Sequence, residues 1–177
     1  MRKNIRLPGY DYSNPNFYFV TVCTDYRKKI FVPRLDKQYN VVLPVEVVAG
    51  PWPAQLVQNT DIVEEKLLML ESKFNCSIDF YCFMQDHVHF IIVLEQASKI
   101  VLEQARQGRA TTLSTIINAY KGWCTRAFHV RVFQPNFYEH IIRSDQSLDK
   151  IREYILNNPV AEYEDIPWKR IDPEINL

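Results

Sequence analysis

Two histidines open the run His87-Val88-His89-Phe90-Ile91-Ile92-Val93-Leu94, which holds no glycine or proline. A run of this kind, rich in β-branched and aromatic residues, reads as a buried strand. Side chains alternate across a strand, so residues 87 and 89 share a face, roughly 7 Å apart at about 3.3 Å rise per residue. Two ligands of one metal ion close such a gap by leaning inward. Polar rings in an apolar strand cost free energy unless something satisfies them. Two neutral imidazoles with the remaining coordination positions open suit a divalent ion acting as a Lewis acid. The alternative is a histidine pair satisfied inside the core.

A second group is Glu153-Tyr154-Ile155-Leu156-Asn157-Asn158-Pro159. On a helix, Tyr154 and Asn158 stack one turn apart. A phenol and a carboxamide so placed could bring a nucleophile and a metal-directed carbonyl oxygen to one point. Alternatively, Tyr154 borders the core and Asn158 closes the helix before proline. The third group is Asn136-Phe137-Tyr138-Glu139-His140-Ile141-Ile142-Arg143. Alternation puts Tyr138 and His140 on one face and Glu139 with Arg143 on the other, a pattern that fits structural support better than a second metal-adjacent group.

The elements that must carry these groups follow from periodicity. Residues 17–24 read as a first strand. Asp61 with Glu64 reads as a helix start, with Ile62, Val63, Leu67, Leu70 and Phe74 as its apolar stripe. Residues 78–84 and 87–94 read as a second and third strand about the turn Gln85-Asp86. Leu113, Ile116, Ile117, Tyr120, Cys124 and Ala127 mark a second helix, and residues 133–143 a fourth strand. Ser144-Asp145 caps a third helix with core side Leu148, Ile151 and Ile155, and Pro159 is expected to end it. The order β-α-β-β-α-β predicts an α+β, ferredoxin-like (RRM- or palm-like) sandwich with an antiparallel sheet. A further C-terminal helix carries Tyr154. Residues 1–177 read as one domain, with a basic N-terminal segment over 1–15 and a tail from about 160. A proline-rich insertion or hairpin is expected over 32–56, and a mobile connection over 95–110.

Composition bounds the function. Hydrophobic residues make up 47% of the chain, which excludes a disordered protein. No stretch approaches the ~20 apolar residues of a membrane helix, and Met1-Arg2-Lys3 lacks the apolar region of a signal peptide, so a cytoplasmic location is expected. Cys23, Cys76, Cys82 and Cys124 form no Cys-x-x-Cys pair and read as reduced core thiols. The net charge of zero hides a segregation. Residues 1–35 carry seven Lys/Arg against two Asp/Glu and residues 106–143 six against one, whereas 36–105 and 144–177 are acidic. Such blocks could build a basic face for a polyanion or simply a mixed solvated surface.

The ordered blocks together resemble the REP-associated tyrosine transposases, within the single-tyrosine branch of the HUH (His-hydrophobe-His) nucleases. They are Arg6-Leu7-Pro8-Gly9-Tyr10-Asp11-Tyr12 leading into Phe17-Tyr18-Phe19-Val20-Thr21, Phe83-Met84-Gln85-Asp86-His87-Val88-His89, the Lys121 helix, Phe133-Gln134-Pro135-Asn136-Phe137-Tyr138-Glu139-His140, and Tyr154-Ile155-Leu156-Asn157-Asn158-Pro159. The resemblance implies a metal-dependent single-stranded DNA endonuclease and strand transferase. It implies Mg²⁺ or Mn²⁺ on His87, His89 and Asn158, Tyr154 as nucleophile, and a 5′-phosphotyrosine intermediate formed at hairpins of palindromic repeats. Tyr138, beside an acid and a histidine, is the less favoured rival nucleophile.

Single-stranded and hairpin DNA are the implied partners. Lys121 leads the binding candidates, with Arg2, Lys3, Arg6, Arg27, Lys28 and Lys29. A monomer is expected, with a homodimer that exchanges the tyrosine helix as the alternative. The competing function is a catalytically silent, domesticated DNA- or RNA-binding module on the same fold.

Overall fold

The strand that opens on His87 lies at the centre of the sheet. The computed structural model describes residues 9–35, 52–95 and 112–163. Their strands are β1 (Asn16–Cys23), β2 (Arg34–Leu35), β3 (Cys76–Phe83), β4 (His87–Leu94) and β5 (Tyr138–Ile142). The helices are α1 (Ala54–Lys73), α2 (Leu113–Phe128) and α3 (Asp145–Tyr163). The strands form one antiparallel sheet in the order β2-β3-β4-β1-β5. Without β2, that is the expected α+β, ferredoxin-like arrangement; β2 is a two-residue edge strand beyond it.

Register fixes which residues meet. β1 pairs with β4 from Asn16↔Leu94 to Cys23↔His87, and with β5 from Phe17↔Ile142 to Thr21↔Tyr138. The even-numbered residues of β4 (Val88, Phe90, Ile92, Leu94) join a core with Val63, Leu67 and Leu70 of α1 and Ile116, Ile117 and Tyr120 of α2. On the opposite face, Ile91 packs with Phe80, Cys82 and Met84 under Leu148, Ile151 and Ile155 of α3. Helices cover both faces, which is why β4 is apolar throughout instead of alternating. His87 and His89 share the face of α3, the helix that carries Tyr154.

A bulge sharpens that arrangement. The β3–β4 register shifts between Ile78 and Phe80, so Ile78 faces the α1/α2 core and Phe80 the α3 core. Asp79, at the irregularity, accepts two hydrogen bonds from Arg152 of α3, Nε at 2.9 Å and Nη2 at 2.5 Å. This paired contact ties the tyrosine helix to the sheet.

Several boundaries differ from expectation for identifiable reasons. α1 begins at Ala54 behind Pro53, seven residues before the expected Asp61 cap. Its first turns escape an apolar-stripe reading because their polar side chains serve the neighbouring loop. Thr60 Oγ1 accepts from the Val32 N–H, and Asn59 Nδ2 donates to the Ile30 carbonyl. Asp61 and Glu64 are mid-helix and bind Arg34 Nη1 at 2.6 and 2.8 Å.

The fourth strand is shorter than residues 133–143 because Pro135 offers no N–H to a ladder; only Phe133 makes an isolated bridge, to Thr24. α3 starts as expected, with the Ser147 N–H donating to Ser144 Oγ. It does not stop at Pro159, which lies inside the helix. Pro159 can still be accommodated there at the loss of one donor, so Asn158 stays a full helical turn from Tyr154. All four cysteines are buried free thiols, as expected. Residues 36–51 of the insertion, the connection over 96–111 and the tail from 164 lie outside the described residues. No described helix is long and apolar enough to cross a membrane.

Candidate active site

The two imidazoles converge. His87 Nε2 and His89 Nε2 are 3.0 Å apart, their rings nearly perpendicular at 84°. The opposite ring nitrogens are held by different neighbours. His87 Nδ1 lies 2.5 Å from Asp86 Oδ1, and His89 Nδ1 shares a hydrogen bond of 2.8 Å with Thr21 Oγ1. Asp86 also takes an ion pair from Arg27 Nε at 3.2 Å. Against the cost of partial burial, contact with His87 and the charges of Arg27 and Lys29 hold the Asp86 carboxyl below its ordinary range. An ionised Asp86 accepts from His87 Nδ1–H, which turns Nε2 of that ring toward the convergence point.

His89 is buried, and burial, with the neighbouring His87 and Arg27, keeps its pKa well below the ordinary histidine value. It therefore remains neutral at physiological pH. Thr21 can donate or accept, so it supports either His89 tautomer, including the one that frees Nε2.

Tyr154 comes from α3 onto this pair. Its ring centroid lies 5.4 Å from that of His89 at 65°, and 6.0 Å from that of Phe19, edge-on at 90°. Phe19 in turn stacks on His89 at 5.3 Å. Burial pushes the Tyr154 hydroxyl above the ordinary phenol value; the Asn158 amide one turn on opposes that rise, and Cys82 adds to it. Asn158 is itself buried, and its Nδ2 completes no hydrogen bond among the described residues.

These residues fit a small divalent cation. Two cis ligands about 2.1 Å from one octahedral ion sit about 3.0 Å apart, which is the spacing of the two Nε2 atoms. Carboxylate–histidine contact of the Asp86–His87 kind is the usual outer support of a metal-bound imidazole. No group of three His, Cys, Asp or Glu suited to a metal occurs among the described residues. The side-chain carbonyl oxygen of Asn158, one helical turn from Tyr154, is a donor of the type that such an ion takes.

The binding candidates separate. Arg27 reaches the site through Asp86, and Lys28 lies exposed on the same loop. Arg2, Lys3 and Arg6 fall outside the described residues. Lys121 is buried: its ammonium donates to the carbonyls of Gln134 (2.9 Å), Pro135 (3.3 Å) and Asn136 (2.7 Å) and sits 5.3 Å from the Phe137 ring centroid. Burial pushes its pKa down to about 8. Three carbonyls engage all three ammonium protons, so Lys121 holds the 134–136 loop and has no donor left for a phosphate. Thr21 and Phe19 escaped the sequence reading as site residues, because only the β1–β4 register reveals them. Asp86 carried a signal in its position directly before His87.

The family model for IS200-like transposases matches residues 16–158. The chain belongs to the IS200-like transposase family. This member is 29% identical to an uncharacterized protein of Haemophilus influenzae, over 93% of this chain and 91% of that one. Its fold matches the structure of a REP-associated tyrosine transposase bound to a REP hairpin. That match has a TM-score of 0.59 at 18% identity and covers 92% of this chain and 74% of the other.

Proposed function

We propose that this IS200-like transposase nicks and rejoins single-stranded DNA, with Tyr154 as the nucleophile. The observation that carries this reading is the Tyr154 ring 5.4 Å from His89, whose Nε2 converges with that of His87. Tyr154 Oη attacks the scissile phosphorus. The P–O3′ bond breaks as the Oη–P bond forms, the phenolic proton is lost to solvent, and the 3′ oxygen leaves as a hydroxyl. The product is a 5′-phosphotyrosine and a free 3′-OH. The covalent bond conserves the phosphodiester linkage, so attack by a 3′-OH rejoins DNA without an external energy source.

His87 Nε2, His89 Nε2 and the Asn158 carbonyl oxygen would hold Mg²⁺ or Mn²⁺. Such an ion supplies Lewis acidity at the phosphate and favours the phenolate. Asp86 and Thr21 keep the imidazoles oriented, and Phe19 walls the phenol on one side. The approach required for in-line attack is blocked in a duplex, so the substrate is single-stranded, flanked by a hairpin like the one bound to the structural relative. Tyr154 meets the histidines of its own chain, which supports a monomer as the active unit.

The test is incubation of the full chain with a 3′-labelled hairpin oligonucleotide bearing single-stranded flanks, in Mg²⁺ or Mn²⁺, followed by denaturing electrophoresis. A metal-dependent protein–DNA adduct that vanishes in Tyr154→Phe is expected. An adduct that survives in Tyr154→Phe assigns the nucleophile elsewhere, and a chain that binds but never cleaves is a DNA-binding module.

A further inference from the structure

Tyr138 opens the edge strand β5 with 55% of its surface exposed, among the few large apolar side chains that the described residues leave in solvent. Its position is specific. Tyr138 lies directly opposite Thr21, and Thr21 directly opposite His89, so the three form one row across β5, β1 and β4. Directly paired residues share a face, which puts Tyr138 on the face of the histidines, two strand spacings or roughly 10 Å from His89.

Thr21 is the one side chain in the row between the two rings. α3 reaches the His89 end of the row with Tyr154, and the apolar cluster beneath it holds Ile142, Phe80, Cys82, Met84 and Leu35 but not Tyr138. A cation borders the row. Arg27, with a half-exposed side chain, reaches Cys23 Sγ with Nη1 at 3.0 Å and Asp86 with Nε. Cys23 is two residues from Thr21 on the same face. An exposed aromatic plane, a small polar floor and a guanidinium therefore lead to the converging imidazoles.

We propose that Tyr138 is the stacking platform for a base flanking the scissile phosphate, with Arg27 beside the phosphate backbone. A base on the Tyr138 ring would set where along the strand the phosphate meets Tyr154, making Tyr138 a positioning residue and not a second nucleophile. This rests on the single-strand nuclease reading above. Base–aromatic stacking is sequence-tolerant, so the expected ligand is an unpaired base, not a particular one.

The experiment measures anisotropy of a labelled hairpin oligonucleotide with a mixed-sequence single-stranded extension, using the full chain with Mg²⁺. Tyr138→Ala should weaken binding about ten- to hundredfold, while the blunt hairpin without an extension binds both proteins alike. Tyr138→Trp should restore binding, and the indole emission it adds should be quenched by the extended oligonucleotide but not by the blunt one. Equal affinity of Tyr138→Ala and the unaltered chain for the extended oligonucleotide, or added emission in Tyr138→Trp that is indifferent to it, overturns the platform and leaves the nuclease reading standing. An unaltered chain that neither binds nor cleaves the extended oligonucleotide overturns both.

Discussion

Thr21 and His89 face each other across β1 and β4, and a 2.8 Å hydrogen bond joins the threonine hydroxyl to the Nδ1 of the buried histidine. The bond orients a ring whose other nitrogen meets His87, so a residue on a neighbouring strand sets the geometry of the candidate metal pair. Thr21→Val keeps the side-chain shape and removes the hydroxyl. Loss of such outer-shell support typically costs tenfold to hundredfold in metal affinity. Titration calorimetry with Mn²⁺ should show a loss of that size, with Thr21→Ser close to the unaltered chain. Unchanged Mn²⁺ affinity in Thr21→Val would exclude Thr21 from the support of His89.

The Asp79–Arg152 contact makes a second, separate prediction about how Tyr154 is delivered. Asp79 sits at the β3 bulge and Arg152 lies two residues before Tyr154, paired at 2.9 and 2.5 Å. Arg152 is about a third exposed, which screens the charges and limits the pair to on the order of 1 kcal/mol. Asp79→Asn should therefore lower the melting temperature by only a few degrees. It should speed amide hydrogen exchange selectively in α3 and slow adduct formation. The exchange Asp79→Arg with Arg152→Asp should recover part of both. Equal exchange rates across α3 in Asp79→Asn would show that apolar packing alone holds the helix.

Much of this site was legible because it is local. His87 and His89 advertise a common face through strand alternation, and Tyr154 with Asn158 a common face through helical spacing. The central β-α-β-β-α-β order followed from alternating periodicities. What stayed hidden depends on contacts between distant segments. Thr21 becomes a site residue only through register, and Asp79 only because a bulge turns the strand. Asp61 and Glu64 mimic a helix start, yet their charges serve Arg34, and the real beginning of α1 is masked by polar residues that bind the 30–32 loop. Pro159 carries a strong local stop signal that the rest of the fold overrides. Lys121, alone on a helix in a basic stretch, looks like a phosphate contact until the loop it binds is in place.

That loop makes the role of Lys121 testable. Lys121→Met leaves the carbonyls of residues 134–136 without their donor. With hydrogen bonds to a charged group worth about 1.5–3 kcal/mol each and not additive, a loss of about 2–4 kcal/mol is expected. Thermal unfolding should show it as a large fall in melting temperature. A phosphate contact behaves otherwise: its removal reduces the slope of log affinity against log salt by about one unit. DNA binding by Lys121→Met, measured below its melting temperature, should keep the slope of the unaltered chain.

The acid–base state of Tyr154 gives a rate prediction with a definite sign. Burial raises the phenol above its ordinary value, and the opposing Asn158 amide does not cancel the rise. The hydroxyl is therefore protonated at neutral pH before DNA and metal bind, and each unit of pH increases its phenolate fraction about tenfold while pH stays below the pKa. His89, neutral well below the ordinary histidine value, adds no competing step in that range. Single-turnover adduct formation should climb from about pH 6 to about pH 8, approaching a slope of one in log rate against pH if proton loss precedes attack. Asn158→Ala removes the group that opposes the rise, so its rising limb should shift to higher pH. Asn158 is also the candidate third metal ligand, so the comparison must be made at saturating Mn²⁺, where affinity loss cannot imitate a pKa shift. A flat profile over this range, with the adduct still dependent on Tyr154, would place proton loss after the slow step and remove phenol ionisation as the limit on the reaction.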